Sequence, residues 1–195
     1  MHTYDVDSDE RKVAIVALVL PSLGVAAAVH AATLLLDLGW LWLVDLPTPL
    51  GAFGLLYFWL EQWGLRSTWV RRALRIKTPM LAGDWTGTLW SSHDNESRDF
   101  SLHIDQTWTR ILVRGRGAHS ASVSKTASIL TAEALHPILV YTFLNTPRAD
   151  AVETMHMHHG TATHYLDEQA NTLNGDYYTG RDRHTHGTME LVRSA

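Results

Sequence analysis

The chain divides into a hydrophobic N-terminal third and a polar remainder. Residues 13–36 contain no Asp, Glu, Lys or Arg, and a run of about 20 apolar residues is long enough to cross the roughly 30 Å hydrocarbon core of a bilayer. Between residues 38 and 60 the only charged side chain is Asp45. We therefore predict two transmembrane helices, over about residues 13–36 and 46–65. Pro21 lies in the first, where membrane helices tolerate it.

The charges that flank these spans predict their orientation. The connector between them carries Asp37 and Asp45 and no Lys or Arg, whereas the segment after the second span is basic. Because Lys and Arg collect on the cytoplasmic side of membrane helices, we expect both ends of the chain in the cytosol. Residues 1–12 are then a cytosolic tail, and residues 66–79 form a basic juxtamembrane linker helix on anionic headgroups.

Residues 80–195 carry a different pattern, in which short runs rich in Thr, Val, Ile and aromatic residues alternate with turn residues. Such runs are typical of antiparallel strands. Eight are predicted, over residues 83–92, 98–105, 107–114, 117–133, 136–146, 158–168, 172–180 and 186–193. Eight successive strands close most simply into an up-and-down barrel, which leaves no exposed edge. The predicted fold class is membrane-anchored all-β, with two N-terminal transmembrane helices followed by a small eight-stranded antiparallel β-barrel.

Alternation along these strands predicts which side chains face the barrel interior, because successive strand residues point to opposite faces. The predicted inward residues are Trp85, Gly87 and Leu89, then Phe100, Leu102 and Ile104, and then Leu173, Gly175 and Tyr177. The strand over residues 117–133 has one face of hydroxyls, made of Ser120, Ser122, Ser124, Thr126 and Ser128. If that face points inward, the interior is polar and suits a hydrogen-bonding ligand.

The strand over residues 107–114 leaves open which of its faces lines the interior. On one choice, Ile111 and Val113 point inward. The other choice turns inward Trp108, Arg110, Leu112 and Arg114. The two guanidinium groups would then be placed to bind phosphate oxygens in pairs of hydrogen bonds.

Composition narrows the classes of function. A net charge of −4 argues against binding of DNA or RNA, which requires clustered Lys and Arg. The chain has no cysteine, so a thiolate nucleophile and a cysteine-ligated metal are both excluded. Twelve histidines, among them His156, His158, His184 and His186, leave a histidine-ligated zinc site as an alternative. No nucleophile-elbow pattern is present, and we predict neither enzymatic activity nor a cofactor.

The two ends of the β-rich region carry a resemblance to a known family. The opening segment GDWTGTLW spans residues 83–90, and the closing segments GDYYTGR and GTMEL span residues 175–181 and 187–191. Together with two hydrophobic spans and a basic juxtamembrane segment, they resemble the two-transmembrane β-barrel effectors of bacterial CBASS anti-phage systems. The resemblance in architecture, which is the order of hydrophobic spans, basic segment and β-barrel, extends over the whole chain.

The resemblance implies a signal-gated effector of the bacterial inner membrane. In that family the cytosolic barrel binds a cyclic dinucleotide made by a cognate nucleotidyltransferase. The protein then oligomerises, and its helices disrupt the membrane to cause abortive infection. The expected partners are thus the cyclic dinucleotide, the lipid bilayer and further copies of the chain. The alternative is a membrane-tethered lipocalin-like carrier or sensor of a small apolar ligand, because a G-x-W opening also occurs in lipocalin-like barrels.

A dianionic ligand with two bases calls for cations, hydroxyls and aromatic faces. Six residues are predicted to supply them, namely Arg110, Arg114, Tyr141, Thr163, Tyr165 and Tyr177. The arginines would pair with the phosphates, and the tyrosines would stack on the bases. Ordinary barrel packing is the alternative role for the three tyrosines.

Overall fold

The described part of the chain forms two compact units. The computed structural model describes residues 1–36, 48–132, 135–148, 156–167, 169, 171–180 and 184–194. One unit is helical and comprises Ser8–Lys77, and the other combines Met1–Asp7 with Thr78–Ala195. The connector between the two predicted membrane helices, residues 37–47, lies outside the described residues.

The helical unit contains α1 (Glu10–Leu35), α2 (Thr48–Trp63) and α3 (Thr68–Ala73). Among the described helices, α1 is the one that is both long and apolar enough to cross a membrane. With 16 residues, α2 is about 24 Å long, which is shorter than the hydrocarbon core. The two-helix membrane anchor predicted from the sequence is therefore not confirmed. The predicted linker helix over residues 66–79 is represented by α3, beyond which Arg75 adopts a φ of 53°.

The other unit is an antiparallel β-barrel. Two short strands, β1 (His2–Thr3) and β2 (Asp5–Val6), precede eight long ones: β3 (Gly83–Ser91), β4 (Glu96–Gln106), β5 (Arg110–Arg116), β6 (Ser120–Leu130), β7 (Ile138–Pro147), β8 (His158–Leu166), β9 (Thr172–Thr179) and β10 (His186–Arg193). Each long strand pairs with the next along the chain, and β10 pairs with β3 to close the barrel. The predicted eight-stranded meander is confirmed, and every long strand overlaps its predicted span.

The N-terminal segment completes the barrel where β5 and β6 separate. These two strands pair directly over Arg114–Arg116 and Ala121–Val123. Beyond that stretch, β1 pairs antiparallel with β5, and β2 pairs parallel with β6. Tyr4 is buried, and its hydroxyl donates to the carbonyl of Trp108 at 2.9 Å. Residues 1–7, which we call the N-terminal strap, therefore belong to the barrel unit, and the cytosolic location predicted for residues 1–12 stays a prediction.

An apolar cluster fills the barrel at the end where the chain enters β3. Trp85 is fully buried, its indole nitrogen donates to the Leu81 carbonyl at 3.0 Å, and the Arg193 guanidinium carbon lies 4.2 Å from its ring centroid. Packed with it are Leu102, Ile104, Ile111, Val113, Ile129, Leu139, Leu166, Leu173 and Leu191. Of the two choices left open for the strand over 107–114, the structure adopts the one that buries the two aliphatic residues. Burial of this apolar surface is the main favourable contribution to barrel stability.

Candidate ligand-binding cavity

A cavity of about 490 Å³ occupies the part of the barrel that the apolar cluster leaves unfilled. Its rim includes residues of the β3–β4 and β5–β6 connections and Thr185, which directly precedes β10, and its walls are inward side chains of the strands. The volume lies within the range of sites that bind small molecules and cofactors. The barrel therefore has a closed apolar end and a hollow end.

Aromatic side chains form much of the cavity wall. Phe100, Tyr141, Phe143 and Tyr177 all line it. The rings of Tyr141 and Phe143 are tilted against each other with centroids 6.2 Å apart. Flat apolar faces of this kind are suited to stacking against nucleobases, whatever the base.

Hydroxyl groups supply part of the polar lining, namely those of Ser91, Ser120, Ser122, Thr179 and Thr185, and the rest comes from histidine, carboxylate, amide and guanidinium groups. The predicted hydroxyl face of β6 points inward over its first half only. A β-bulge between Ser124 and Thr126 shifts the register, and an inserted residue reverses the facing of the side chains that follow it. Thr126 is consequently exposed, and Ala127 takes the inward position. The lumen is thus polar near the rim and apolar at the closed end.

Arg98 lines the cavity, and it is the one Lys or Arg of the described residues that does so. Its guanidinium contacts the carboxylate of Asp94, and a second contact reaches Glu96 Oε2 at 3.4 Å. The tight β3–β4 turn brings these groups together, with Asn95 at a φ of 60°, a left-handed conformation that Asn adopts more readily than most residues. Arg98 shares the inward face of Phe100, so extending that alternation by two residues would have identified it from the sequence.

A buried polar pair lies deeper in the barrel. His164 is fully buried and stacks on Tyr141, with centroids 5.7 Å apart and planes at 10°. The Tyr141 hydroxyl lies 3.3 Å from His164 Nε2, and the tautomer of the imidazole decides which of the two groups donates the hydrogen bond. Burial lowers the pKa of His164 to about 4 and raises the pKa of the Tyr141 phenol. Burial thus keeps both groups neutral near pH 7. This pair was not predictable from the sequence, because His164 is one of twelve histidines.

The structure brings two of the six predicted ligand-binding residues to the cavity, Tyr141 and Tyr177. Thr163 and Tyr165 alternate with the inward residues of β8, and Tyr165 is half exposed on the outer surface. That Tyr141, Tyr177, Thr163 or Tyr165 binds a ligand stays a prediction.

The two predicted arginines lie on the outer face of β5. Arg110 and Arg114 are both exposed, and they alternate with the inward Ile111 and Val113. The Arg114 Nη1 atom lies 2.5 Å from Asp105 Oδ2, which is also outside the barrel. The expectation that these arginines face the lumen is therefore not met, because the aliphatic side chains gain more from burial than a guanidinium group would.

The described residues also bear on the zinc alternative. Among them, no group of three His, Cys, Asp or Glu side chains is arranged to hold a metal ion. The histidine-ligated site that the sequence left open therefore gains no support from the described part of the chain.

Fold and cavity together define a small-molecule-binding β-barrel joined to a helical segment that holds a candidate membrane helix. The family described as "Cap15, cyclic dinucleotide receptor domain" matches residues 76–193, which include all eight long strands. The chain belongs to this family of CBASS effectors, and the resemblance drawn from its sequence is confirmed. It is also similar to CD-NTase-associated protein 15 of Yersinia aleksiciae, with 29% identity over 143 residues that cover 72% of this chain and 68% of the relative.

Proposed function

We propose that the barrel binds a cyclic dinucleotide in its cavity, and that binding makes the protein oligomerise and disrupt the bacterial inner membrane in response to phage. The observation that carries the proposal is the cavity of about 490 Å³ inside the barrel that the receptor family matches. We propose no catalytic step, because a receptor acts through the binding energy of its signal alone.

The cavity chemistry supports a ligand with aromatic bases and hydrogen-bonding groups, and Arg98 is the one described Lys or Arg among the lining carboxylates of Asp94, Glu96 and Asp99. Arg98 offers a guanidinium that can bind a phosphate through paired, charge-assisted hydrogen bonds. Tyr141 and Tyr177 offer rings against which bases can stack. The hydroxyls of Ser120 and Ser122 can hydrogen-bond to the sugars or to base edges. We propose these five residues as ligand contacts, in place of the outward-facing residues predicted from the sequence.

The alternative, a carrier of a small apolar ligand, is less well supported. It requires a lumen dominated by aliphatic and aromatic side chains, with the serine face of β6 turned outward. Ser120 and Ser122 instead line the cavity beside Arg98. An apolar ligand would remove these groups from water without replacing their hydrogen bonds, which carries a free-energy cost.

The connectivity of the two units supports a membrane anchor with two crossings. The strap and residues 78–194 belong to one folded barrel, so the helical unit between them begins and ends at the same body. A barrel lies on one side of a membrane, and a segment that leaves it and returns crosses the membrane an even number of times. If α1 crosses, a second crossing is required, and the stretch that contains α2 is the candidate. Both termini are then cytosolic, as the flanking charges predict.

The side chains of these helices support a lipid environment. Large apolar residues are exposed along both helices, among them Leu20 at 76%, Leu35 at 86%, Leu50 at 77% and Leu55 at 72%. So much apolar surface is unfavourable in water and favourable in hydrocarbon. The short α2 can be accommodated by local thinning of the bilayer, which costs a fraction of a kcal/mol per ångström. We propose that ligand-driven assembly disrupts the membrane at this short second crossing.

The direct test is titration of the full-length protein in detergent micelles with a panel of cyclic dinucleotides, by calorimetry and thermal unfolding. A ligand that binds only the folded state should add about 2.7 kcal/mol at a hundred times its dissociation constant. A shift with one member of the panel would identify the signal. Folded protein that responds to none of them, but binds fatty acids, would favour the carrier.

Replacing Arg98 with Gln should weaken binding of the cyclic dinucleotide by about tenfold to a hundredfold, because one charge-assisted interaction with a phosphate is lost. The matched control is Arg116→Gln, since Arg116 is exposed on the outer face of β5. Calorimetric titration of both variants measures the difference. Equal losses at the two positions would contradict a phosphate contact inside the cavity. A third variant, Arg114→Gln, tests the sequence-based assignment, which a loss of binding at Arg114 without one at Arg98 would restore.

Replacing Asp94 with Asn should have the opposite effect and tighten binding several-fold at low salt. The Asp94 carboxylate holds the Arg98 guanidinium and adds a negative charge at the rim that the dianionic ligand enters. Its neutral analogue frees the cation and removes the repulsion. The gain should shrink as salt screens the charges. A variant with weaker binding would mean that the Asp94 contact positions Arg98 for the ligand.

A further inference from the structure

The junction of β5 and β6 differs from the other seams of the barrel. β6 and β7 pair along the whole length from Ser120 to Leu130, whereas β5 and β6 pair only over Arg114–Arg116 and Ala121–Val123. Further toward the closed end, the strap lies between the two strands and pairs with each of them. We call this strap-filled gap the β5–β6 seam. The edges of β5 and β6 thus face each other there without pairing, and the strap pairs with both of them.

The strap is held by specific groups as well as by its strand pairing. The Asp7 carboxylate accepts hydrogen bonds from the backbone N–H groups of Thr131 at 2.7 Å and Ala132 at 2.9 Å. The Tyr4 backbone N–H donates to the Thr109 carbonyl at 3.2 Å, and the tyrosine ring is buried in the core. The seam therefore binds a segment of a particular sequence, in which an aromatic residue (Tyr4) precedes an acidic one (Asp7) by three positions.

A contiguous set of contacts links the seam to the cavity. Ser122 lines the cavity, and Ser124 is the next inward residue of the same strand. The Ser124 hydroxyl oxygen accepts a hydrogen bond from the Val113 backbone N–H at 2.9 Å and lies 2.8 Å from His2 Nε2 in the strap. A ligand that displaces β6 at Ser122 thus acts on the group that joins both seam edges to the strap.

We propose that the β5–β6 seam is a strand-binding site, and that in the assembled state it is occupied by the strap of a second copy of this chain. The inference rests on the proposed function, since ligand-driven assembly is part of it. Once the strap leaves its own barrel, the edges of β5 and β6 expose unpaired backbone groups, and exposed edges of this kind recruit strands. A neighbouring copy carries a peptide that restores the strand pairing together with the Tyr4 and Asp7 contacts.

The membrane makes exchange between copies favourable. The strap is followed at once by α1, with Ser8 and Asp9 between them. Copies anchored in one bilayer hold their straps and seams at the same distance from the membrane. This raises the effective concentration of the strap of one copy at the seam of another. Each strap inserted into a neighbour leaves that neighbour's strap available for the next copy, so the contact can propagate.

Single-cysteine variants test the exchange, because the natural chain has no cysteine. Asp5 and Ser128 are register partners across the seam, so Asp5→Cys in one tagged full-length chain and Ser128→Cys in a differently tagged chain should join above the level of random collision only if straps exchange. The two are mixed in detergent micelles and oxidised with and without the cyclic dinucleotide. A disulfide needs Cα atoms within about 7 Å, so we expect roughly tenfold more heterodimer with ligand than without.

Two controls make each outcome decisive. Asp5→Cys mixed with Thr188→Cys, which is exposed on β10 across the barrel, reports random collision. The double variant Asp5→Cys/Ser128→Cys should form an intramolecular disulfide without ligand, which checks the resting position of the strap. Ligand binding and assembly with no heterodimer above the Thr188 control would overturn the exchange and leave the proposed function standing. Absence of ligand binding in calorimetry, or of assembly in size-exclusion chromatography, would overturn both.

Discussion

Replacing Gly175 with Ala is expected to lower the free energy of unfolding by about 3 kcal/mol. Gly175 lies in the middle of β9, between His164 of β8 and Met189 of β10. A Cβ atom there would lie 1.9 Å from the Thr163 carbonyl oxygen and 2.9 Å from His164 Cα. Both are backbone atoms of a paired strand, so the clash is relieved only by separating β8 from β9. Chemical denaturation of the full-length protein in detergent, followed by near-ultraviolet circular dichroism, measures the loss.

Gly180→Ala is the matched control. The nearest atom to a Cβ at Gly180 is the His159 carbonyl oxygen at 3.7 Å, an ordinary van der Waals contact. This variant should unfold at nearly the wild-type denaturant concentration, or slightly above it, because alanine reduces the entropy of the unfolded chain. Equal destabilisation at both positions would mean that Gly175 is required for a reason other than close strand approach.

The barrel was predictable because its closed end obeys a simple rule. Two-residue alternation of apolar side chains in β3, β4 and β9 placed Trp85, Leu102 and Leu173 correctly in the interior. One face of each strand there is buried, and a shift of the strand pairing by one residue would turn the apolar side chains to the outside. The apolar pattern therefore determines the register. The same rule applied to β6 succeeded as far as Ser124 and failed beyond it, because the sequence carries no visible mark of the bulge.

Other features depend on contacts distant in sequence. On β5, the alternation of residues allows either the face with Ile111 or the face with Arg110 to point inward. Only burial against the rest of the barrel decides that Ile111 does so. The strap is too short to be recognised as strands, and Tyr4 becomes a core residue only through a gap between strands more than a hundred residues later. Arg98 was within reach of the alternation rule, but its ion pair with Asp94 depends on the turn geometry at Asn95.

The buried histidine should make the barrel sensitive to mild acid. In the unfolded chain, the His164 imidazole titrates near its ordinary pKa of about 6.5, whereas burial lowers its pKa in the folded protein to about 4. Between these values the unfolded state binds more protons than the folded state, so stability falls as the pH falls. The contribution is fully present above about pH 6.5, and about 3 kcal/mol of it is lost on acidification to about pH 4.

Denaturation of the full-length protein in detergent at a series of pH values from about 4 to about 7.5 (from the folded-state pKa to about one unit above the ordinary pKa) measures the dependence of stability on pH. The His164→Leu variant should lose the part of the slope that belongs to this residue, whatever its stability at neutral pH. His159→Gln is the control for removal of a histidine, since His159 is exposed on the same strand. A slope unchanged by His164→Leu would mean that the imidazole is already protonated in the folded barrel or is reached by water.

The same experiment bears on how the cavity functions. Nδ1 of His164 has no hydrogen-bond partner within the described chain, and an unsatisfied buried nitrogen of this kind costs about 1–3 kcal/mol. Protonation would add a charge beneath Tyr141, whose ring stacks on the imidazole and lines the cavity. If the acid sensitivity resides in His164, bound cyclic dinucleotide should increase it near pH 4 (the folded-state pKa), because a ligand that closes the cavity keeps water from the imidazole and lowers the folded-state pKa of His164 further. An identical pH slope with and without saturating ligand would separate the histidine from the binding site and assign it to the core.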